Sequence, residues 1–361
     1  MKPERVMESP YMRWAKAHTH VTYNLASSGV TNYPLSRLPA RLQDLEITGD
    51  SFYGYPPLQQ ALARNSGVTV EQIFSTIGTS LANHIAMAVL VEQGDEILIE
   101  QPTYELLIST AQYLGLTLRR FPRLPENGFH IIPSDIEKAI GPRTRLIVLT
   151  NLHNPSSAYT DEETLVQIGE IARRRGARVL VDEVYLDAAF DQPPRSAIHL
   201  GKHFIATSSL TKVYGLSGLR CGWVLAEPDL IKKMWNLNDL FDVIPPHPSE
   251  QLSLVALQNL GSIRSWACNI LRLNQETVKE MLLPRLEIEC VYPGFGTVVF
   301  PRLRKDHVEK LYSILMSQYQ TSVAPGRFFE IPDYFRIGLG STPESFRQGL
   351  ENVCHAISKL P

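Results

Sequence analysis

The chain has 361 residues, 44% of them hydrophobic and 20% charged, with a formal net charge of −2. That composition can bury a sizeable core and excludes wholesale disorder, and it offers no basic excess to attract nucleic acid or an anionic membrane. The longest apolar run, residues 85–91, is far short of the roughly 20 residues that span a bilayer. Met1-Lys2-Pro3-Glu4-Arg5 opens no apolar signal core, and Cys221, Cys268, Cys290 and Cys354 lack the spacing of a zinc site or disulfide framework. A cytoplasmic enzyme with reduced thiols and no metal is the expectation.

No repeat or low-complexity tract interrupts the chain. The first 45 residues carry no strong element. From there, strand-like runs at 96–100, 117–121, 145–150, 178–182, 203–207 and 221–226 alternate with helix candidates at 81–93, 103–114, 161–175 and 228–240. Thr160 reads as the cap of the third helix, with a carboxylate three residues on, and Gly176 as its closing glycine. This alternation predicts a mostly parallel sheet covered on both faces. After about residue 260 the pattern changes. A long helix over 261–286 leads to strands near 290–300, 321–324 and 335–339 and helices at 306–318 and 343–360, a smaller α+β domain.

In an open α/β sheet, ligands bind at the carboxyl ends of the strands. Those ends carry Asn151-Leu152-His153-Asn154-Pro155-Ser156-Ser157, Asp182-Glu183-Val184-Tyr185 and the hydroxyl- and glycine-rich stretch from Ser208 to Arg220. A lysine such as Lys212, at a strand end and shielded from water, can lose its proton and form a Schiff base. Arg220 can hold an anion with both arms, and Ser209 can add a hydroxyl. Gly78-Thr79-Ser80, opening a helix, offers amide groups to a phosphate. Asp182, at the inner end of an apolar strand, needs a cationic partner such as a protonated pyridine nitrogen. Asn154-Pro155 is equally compatible with a plain turn.

Taken in order, the motifs GTS (78–80), EQPTY (100–104), NLHNPSS (151–157), VDEVY (181–185), SSLTK (208–212), GLRCGW (218–223) and FRIGLG (335–340) resemble the fold-type I, class I/II aminotransferases, the aspartate aminotransferase-like family that uses pyridoxal 5′-phosphate (PLP). The resemblance runs from about residue 20 to the end. It implies an α/β fold with a mostly parallel seven-stranded sheet in a large PLP-binding domain, residues 46–262. Residues 1–45 with 263–361 would form the small domain. It makes Lys212 the residue that joins PLP as an imine and then acts as general base. Asp182 would pair with the ring nitrogen, and Tyr185 and Asn154 with its phenolic oxygen. Thr79, Ser80, Ser209 and Arg220 would hold the phosphate, and Tyr104 would stack on the ring. Arg336 would grip the substrate carboxylate, with Gly29 allowing close approach and Asn154 alongside. The implied assembly is a homodimer with shared sites, Tyr53 reaching the partner's phosphate and Tyr55 its rival.

The implied reaction moves an amino group between an L-amino acid and a 2-oxo acid. Three readings compete. Ser157 stands where many relatives have glycine, and His153 also occurs in carbon–sulfur lyases, which keeps β-elimination open. A PLP-binding sensor would lack turnover, but no winged-helix segment precedes the motifs. A nicotinamide oxidoreductase would need GxGxxG after a strand. The proline-rich stretch 242–250 is the expected wall of the substrate pocket.

Overall fold

A computed structural model describes residues 7–189, 194–304 and 307–361. The polar opening Met1–Arg5 and the expected helix start at Asp306 lie outside them.

The chain enters through helix α1 (Pro10–His18), where the Ser9 hydroxyl accepts from the Met12 amide at 3.1 Å and Pro10 occupies a position that needs no intrahelical donor. Strand β1 (Tyr23–Asn24) and helix α2 (Pro56–Ser66) follow, the latter closed by Gly67 at φ 65°. Helix α1 corrects the expectation of no element in the first 45 residues. Nine residues form a marginal helix alone, so this one depends on tertiary contact and leaves a weak sequence signal.

Next come β2 (Ile73–Ile77), α3 (Thr79–Leu90), β3 (Glu96–Gln101), α4 (Glu105–Tyr113), β4 (Thr117–Pro122), α5 (Pro133–Ala139), β5 (Thr144–Thr150), α6 (Glu162–Arg174), β6 (Arg178–Asp182), β7 (Phe204–Ser209) and β8 (Cys221–Leu225). Seven of these strands form one sheet in the order β2-β8-β7-β6-β5-β3-β4. Every pair is parallel except those made by β8, which runs against β7 and β2. Alternate residues bury opposite faces: Leu146 and Val148 pack beneath α3, while Ile147 and Leu149 pack beneath α6. Both faces are therefore apolar, as a covered parallel sheet requires. The fold class is the expected α/β. Strand β2 escaped the sequence reading although its run, Ile-Phe-Ser-Thr-Ile, is rich in β-branched residues. At α6 the cap is Asp161, which accepts from the Thr164 amide at 2.7 Å, and not Thr160.

Beyond the sheet lie α7 (Pro228–Asn238), α8 (His247–Gln258) and α9 (Leu260–Met281), the last ending five residues before the expected 286. Then follow β9 (Ile288–Glu289), β10 (Val298–Val299), β11 (Arg302–Leu303), α10 (Val308–Tyr319), β12 (Thr321–Ser322), β13 (Ala324–Pro325), β14 (Phe335–Gly338) and α11 (Pro343–Ser358). The expected strand 290–300 shrinks to β10 because Pro293 and the positive φ of Gly294 and Gly296 break the run. Strand β14 sits between β10 and β13, and β1 pairs with β12. Among the described residues no helix is long and apolar enough to cross a membrane.

Candidate active site

Strands β2, β3, β5, β6 and β7 are parallel, so their carboxyl ends share one edge of the sheet, and antiparallel β8 brings Arg220 to that edge from its own start. A cavity of about 350 Å³ opens there, lined by Thr79, Ser80, Tyr104, Asn154, Asp182, Tyr185, Lys212 and Arg220 among others.

At the floor, Asp182 is 5% exposed. Its Oδ2 accepts from Asn83 Nδ2 at 2.8 Å, and its Oδ1 from the Val184 amide at 3.1 Å. Asn83 is fixed in turn by Thr207, whose hydroxyl donates to Asn83 Oδ1 at 2.7 Å. Burial outweighs these bonds and pushes the Asp182 carboxyl up to about 6. Burial also lowers the Lys212 ammonium, with the nearby Arg336 and Arg220 charges acting in the same direction. Lys212 Nζ donates to Ser28 Oγ at 3.1 Å, and the Tyr185 hydroxyl donates to the same oxygen at 2.7 Å. Gly29 packs on the Lys212 backbone and stem: an added Cβ would come within 3.3 Å of the Lys212 carbonyl oxygen.

One end of the cavity is built for an anion. Gly78 caps α3 at φ 97°, and a side chain there would collide with the Arg220 guanidinium. Arg220 itself takes a left-handed φ of 52° and donates to the Ile77 carbonyl at 3.1 Å. The Thr79 hydroxyl is buried without a hydrogen-bond partner among the described residues. Helix amides, a guanidinium and a spare hydroxyl converge.

Behind the cavity wall lies Arg336, on β14 and 0% exposed; it does not line the cavity itself but bonds to three residues that do. Its Nη1 donates to Asn154 Oδ1 at 2.8 Å, and its Nη2 to the Tyr11 hydroxyl and the Ala26 carbonyl, both at 3.0 Å. Its buried Nε has no partner among the described residues.

Several expectations need correction or completion. Ser209 does not line the cavity; its hydroxyl meets that of Thr211 at 2.6 Å, and Thr211 lines the wall. Tyr53 is 66% exposed, its ring edge-on to Trp235 at 5.8 Å, and it reaches no part of the cavity within this chain. The stretch 242–250 is not the wall either: Tyr11, Met12, Ala15 and Thr19 of the α1 segment take that place. His153 lies outside the cavity, its Nε2 3.0 Å from the Pro102 carbonyl and its Nδ1 2.7 Å from Ser156 Oγ. Ser157 takes up the left-handed turn itself, φ 62°, with its hydroxyl donating to the Val298 carbonyl at 2.8 Å. Asn83, Ser28 and Tyr11 went unnoticed in the sequence, because each lies outside the strand-end motifs.

Residues 40–355 match the family of class I and II aminotransferases. The chain belongs to that family. Among curated relatives, capreomycidine synthase of Streptomyces vinaceus is 28% identical, covering 97% of this chain and 94% of its own. The aspartate/prephenate aminotransferase of Thermus thermophilus is 24% identical, covering 85% and 82%. Among solved structures, a PLP-dependent aminotransferase from Streptococcus suis superposes with a TM-score of 0.92 at 25% identity, over 98% of this chain and 99% of that one. A PLP-dependent cyclase shares the fold at 0.90 and 20% identity, over 99% of each chain.

The aminotransferase family uses pyridoxal 5′-phosphate, and the cavity fits it. The Thr79 hydroxyl without a partner and the Gly78 cradle suit a phosphate. Asp182, held on two sides only by neutral donors, suits a ring cation.

Proposed function

We propose that this class I/II aminotransferase moves the amino group between an L-α-amino acid and a 2-oxo acid, in the cytoplasm, as a two-fold homodimer. The observation that carries the reading is the meeting of the Lys212 amine and the buried Asp182 carboxylate on one cavity, with the buried Arg336 guanidinium held behind its wall by Asn154 and Tyr11. Bound PLP supplies an electron sink for negative charge developing at the substrate Cα. Asp182 would keep the ring nitrogen protonated. Tyr185 and the Nδ2 of Asn154 would donate to the phenolic oxygen, since Asn154 Oδ1 is engaged by Arg336. Thr79, Ser80, Arg220 and, after rotation of its hydroxyl, Ser209 would hold the phosphate, and Tyr104 would cover the ring. Arg336 would take the α-carboxylate, fixing which Cα bond stands across the ring. Lys212, kept less basic than an exposed lysine, would carry the proton away from Cα.

Aminotransferase names among the relatives support this reading. Exposed Leu42, Ile47, Phe52, Leu240 and Phe241 support a surface covered in an assembly, and Tyr53, exposed next to Phe52 in the chain, would complete the partner's phosphate site. The division into a large domain (46–262) and a small one (1–45 with 263–361) belongs to the same proposal.

One observation favours a second reading, chemistry at the substrate side chain without amino transfer: the likeness to a protein named capreomycidine synthase spans nearly the whole chain. His153 lends it nothing, being tied to Pro102 and Ser156. A single turnover with a panel of L-amino acids separates the two. Amino transfer leaves stoichiometric pyridoxamine phosphate and an oxo acid; side-chain chemistry leaves PLP unchanged and releases the substituent or a cyclised product.

A further inference from the structure

Among the polar groups of the cavity wall that the roles above leave unassigned, Tyr11 is the one bonded to Arg336. Tyr11 projects from α1, edge-on to Tyr104 at 5.5 Å, and its hydroxyl accepts from Arg336 Nη2 at 3.0 Å. Among the described residues that hydroxyl has no other hydrogen bond, so its proton is free to be donated. Accepting from a guanidinium polarises the O–H and strengthens it as a donor. Arg336 cannot turn away from Tyr11 easily, because Asn154 and Ala26 hold its two arms. An anion drawn to Arg336 therefore meets a neutral donor beside the cation.

We infer that Tyr11 belongs to the carboxylate subsite: its hydroxyl donates to one oxygen of the substrate α-carboxylate while still accepting from Arg336, and so fastens α1 over the bound amino acid. The inference rests on the reading of Arg336 as the carboxylate residue. Helix α1 is suited to this. It has few other ties to α4, the Ser9 hydroxyl on the Glu105 carboxylate and the Tyr104 hydroxyl 3.8 Å from Met12 Sδ. Its remaining anchors are apolar, with Tyr11 and Trp14 packed on Phe328 and Phe329, so an added bond at Tyr11 tightens a helix that is already docked.

The test compares PLP-loaded wild type with Tyr11→Phe, which keeps the ring packing. The probes are the standard L-amino acids and, for the tightest of them, its primary amide, read by binding, steady-state kinetics and hydrogen exchange of segment 10–18. Tyr11→Phe should raise KM for the acid by roughly ten- to a hundredfold, the range of a hydrogen bond to a charged group, with kcat less affected. KM for the amide should hardly move. In wild type the acid, and not the amide, should slow exchange across 10–18, and the variant should lose that protection. Equal KM for the acid in both proteins, or equal shifts for acid and amide, overturns the role of Tyr11 alone. If wild type binds acid and amide equally, the reading of Arg336 falls, and Tyr11 with it.

Discussion

Arg336 Nη1 donates to Asn154 Oδ1 at 2.8 Å, tying β14 to the loop after β5 beside the cavity. The proposed carboxylate ligand and the proposed cofactor ligand thus share one hydrogen bond. Arg336→Lys keeps the charge but loses the planar fork, so kcat/KM for amino acids should fall by about 10- to 100-fold. Asn154→Ala should also weaken PLP. Because the two side chains touch, the double variant should deviate from additivity by about 0.5–3 kcal/mol in transition-state free energy; strict additivity would show that they act separately.

Borohydride treatment of the yellow holoenzyme should bleach the visible band and leave the pyridoxyl label on Lys212, located by peptide mapping. Lys212→Ala should bind PLP without that covalent link. A label on another lysine would displace Lys212 from its role.

Asp182 gives a pH signature in the cofactor-free protein. Its folded pKa, about 6, lies above the ordinary value of 3.8 for an aspartate, so the folded state binds the extra proton between these values. Stability must then fall as pH rises from about 4 to 6, by up to about 3 kcal/mol from this residue. Asp182→Asn removes that slope. The melting temperature of the cofactor-free variant should therefore gain on wild type across this window, while its holoenzyme loses most of its turnover. A constant difference between the two cofactor-free proteins would contradict the burial cost.

Ser157 sits at φ 62° with its hydroxyl on the Val298 carbonyl. In Ser157→Gly the relief of strain offsets the lost bond and the added chain entropy, so stability should shift by less than about 1 kcal/mol with activity kept. Ser157→Val should cost more, about 2–4 kcal/mol, since a β-branched residue resists this conformation and cannot donate. Chemical denaturation measures both.

The crossing of Tyr53 between subunits is tested by mixing Tyr53→Phe subunits with Lys212→Ala subunits. Each mixed dimer should regain one site with wild-type PLP affinity, the one that has its own Lys212 and the partner's Tyr53. Mixing that restores nothing, or a monomer at working concentration, would contradict the shared site.

Much of this was legible in the sequence, for a physical reason. A parallel sheet buried on both faces needs continuous apolar strands, and its reactive groups collect where those strands end. Lys212, Asp182, Asn154 and Arg220 were visible as polar residues following such runs. Helix α1 was not: nine residues of middling propensity signal nothing until they meet the cavity. The support of Asp182 by Asn83 was hidden as well, because a buried asparagine on α3 looks like any helix residue until the floor of the cavity is assembled. Ser157 was readable as a departure, and only the backbone shows that the serine adopts the glycine's conformation.

The most direct test of amino transfer follows the nitrogen itself. Holoenzyme is given an L-amino acid labelled with 15N at the α-amino group, together with an unlabelled 2-oxo acid, and the products are read by mass spectrometry. Amino transfer places the label in the newly formed amino acid, one for each labelled donor converted to its oxo acid. Label released as ammonia, or kept in a rearranged or cyclised donor, would contradict it.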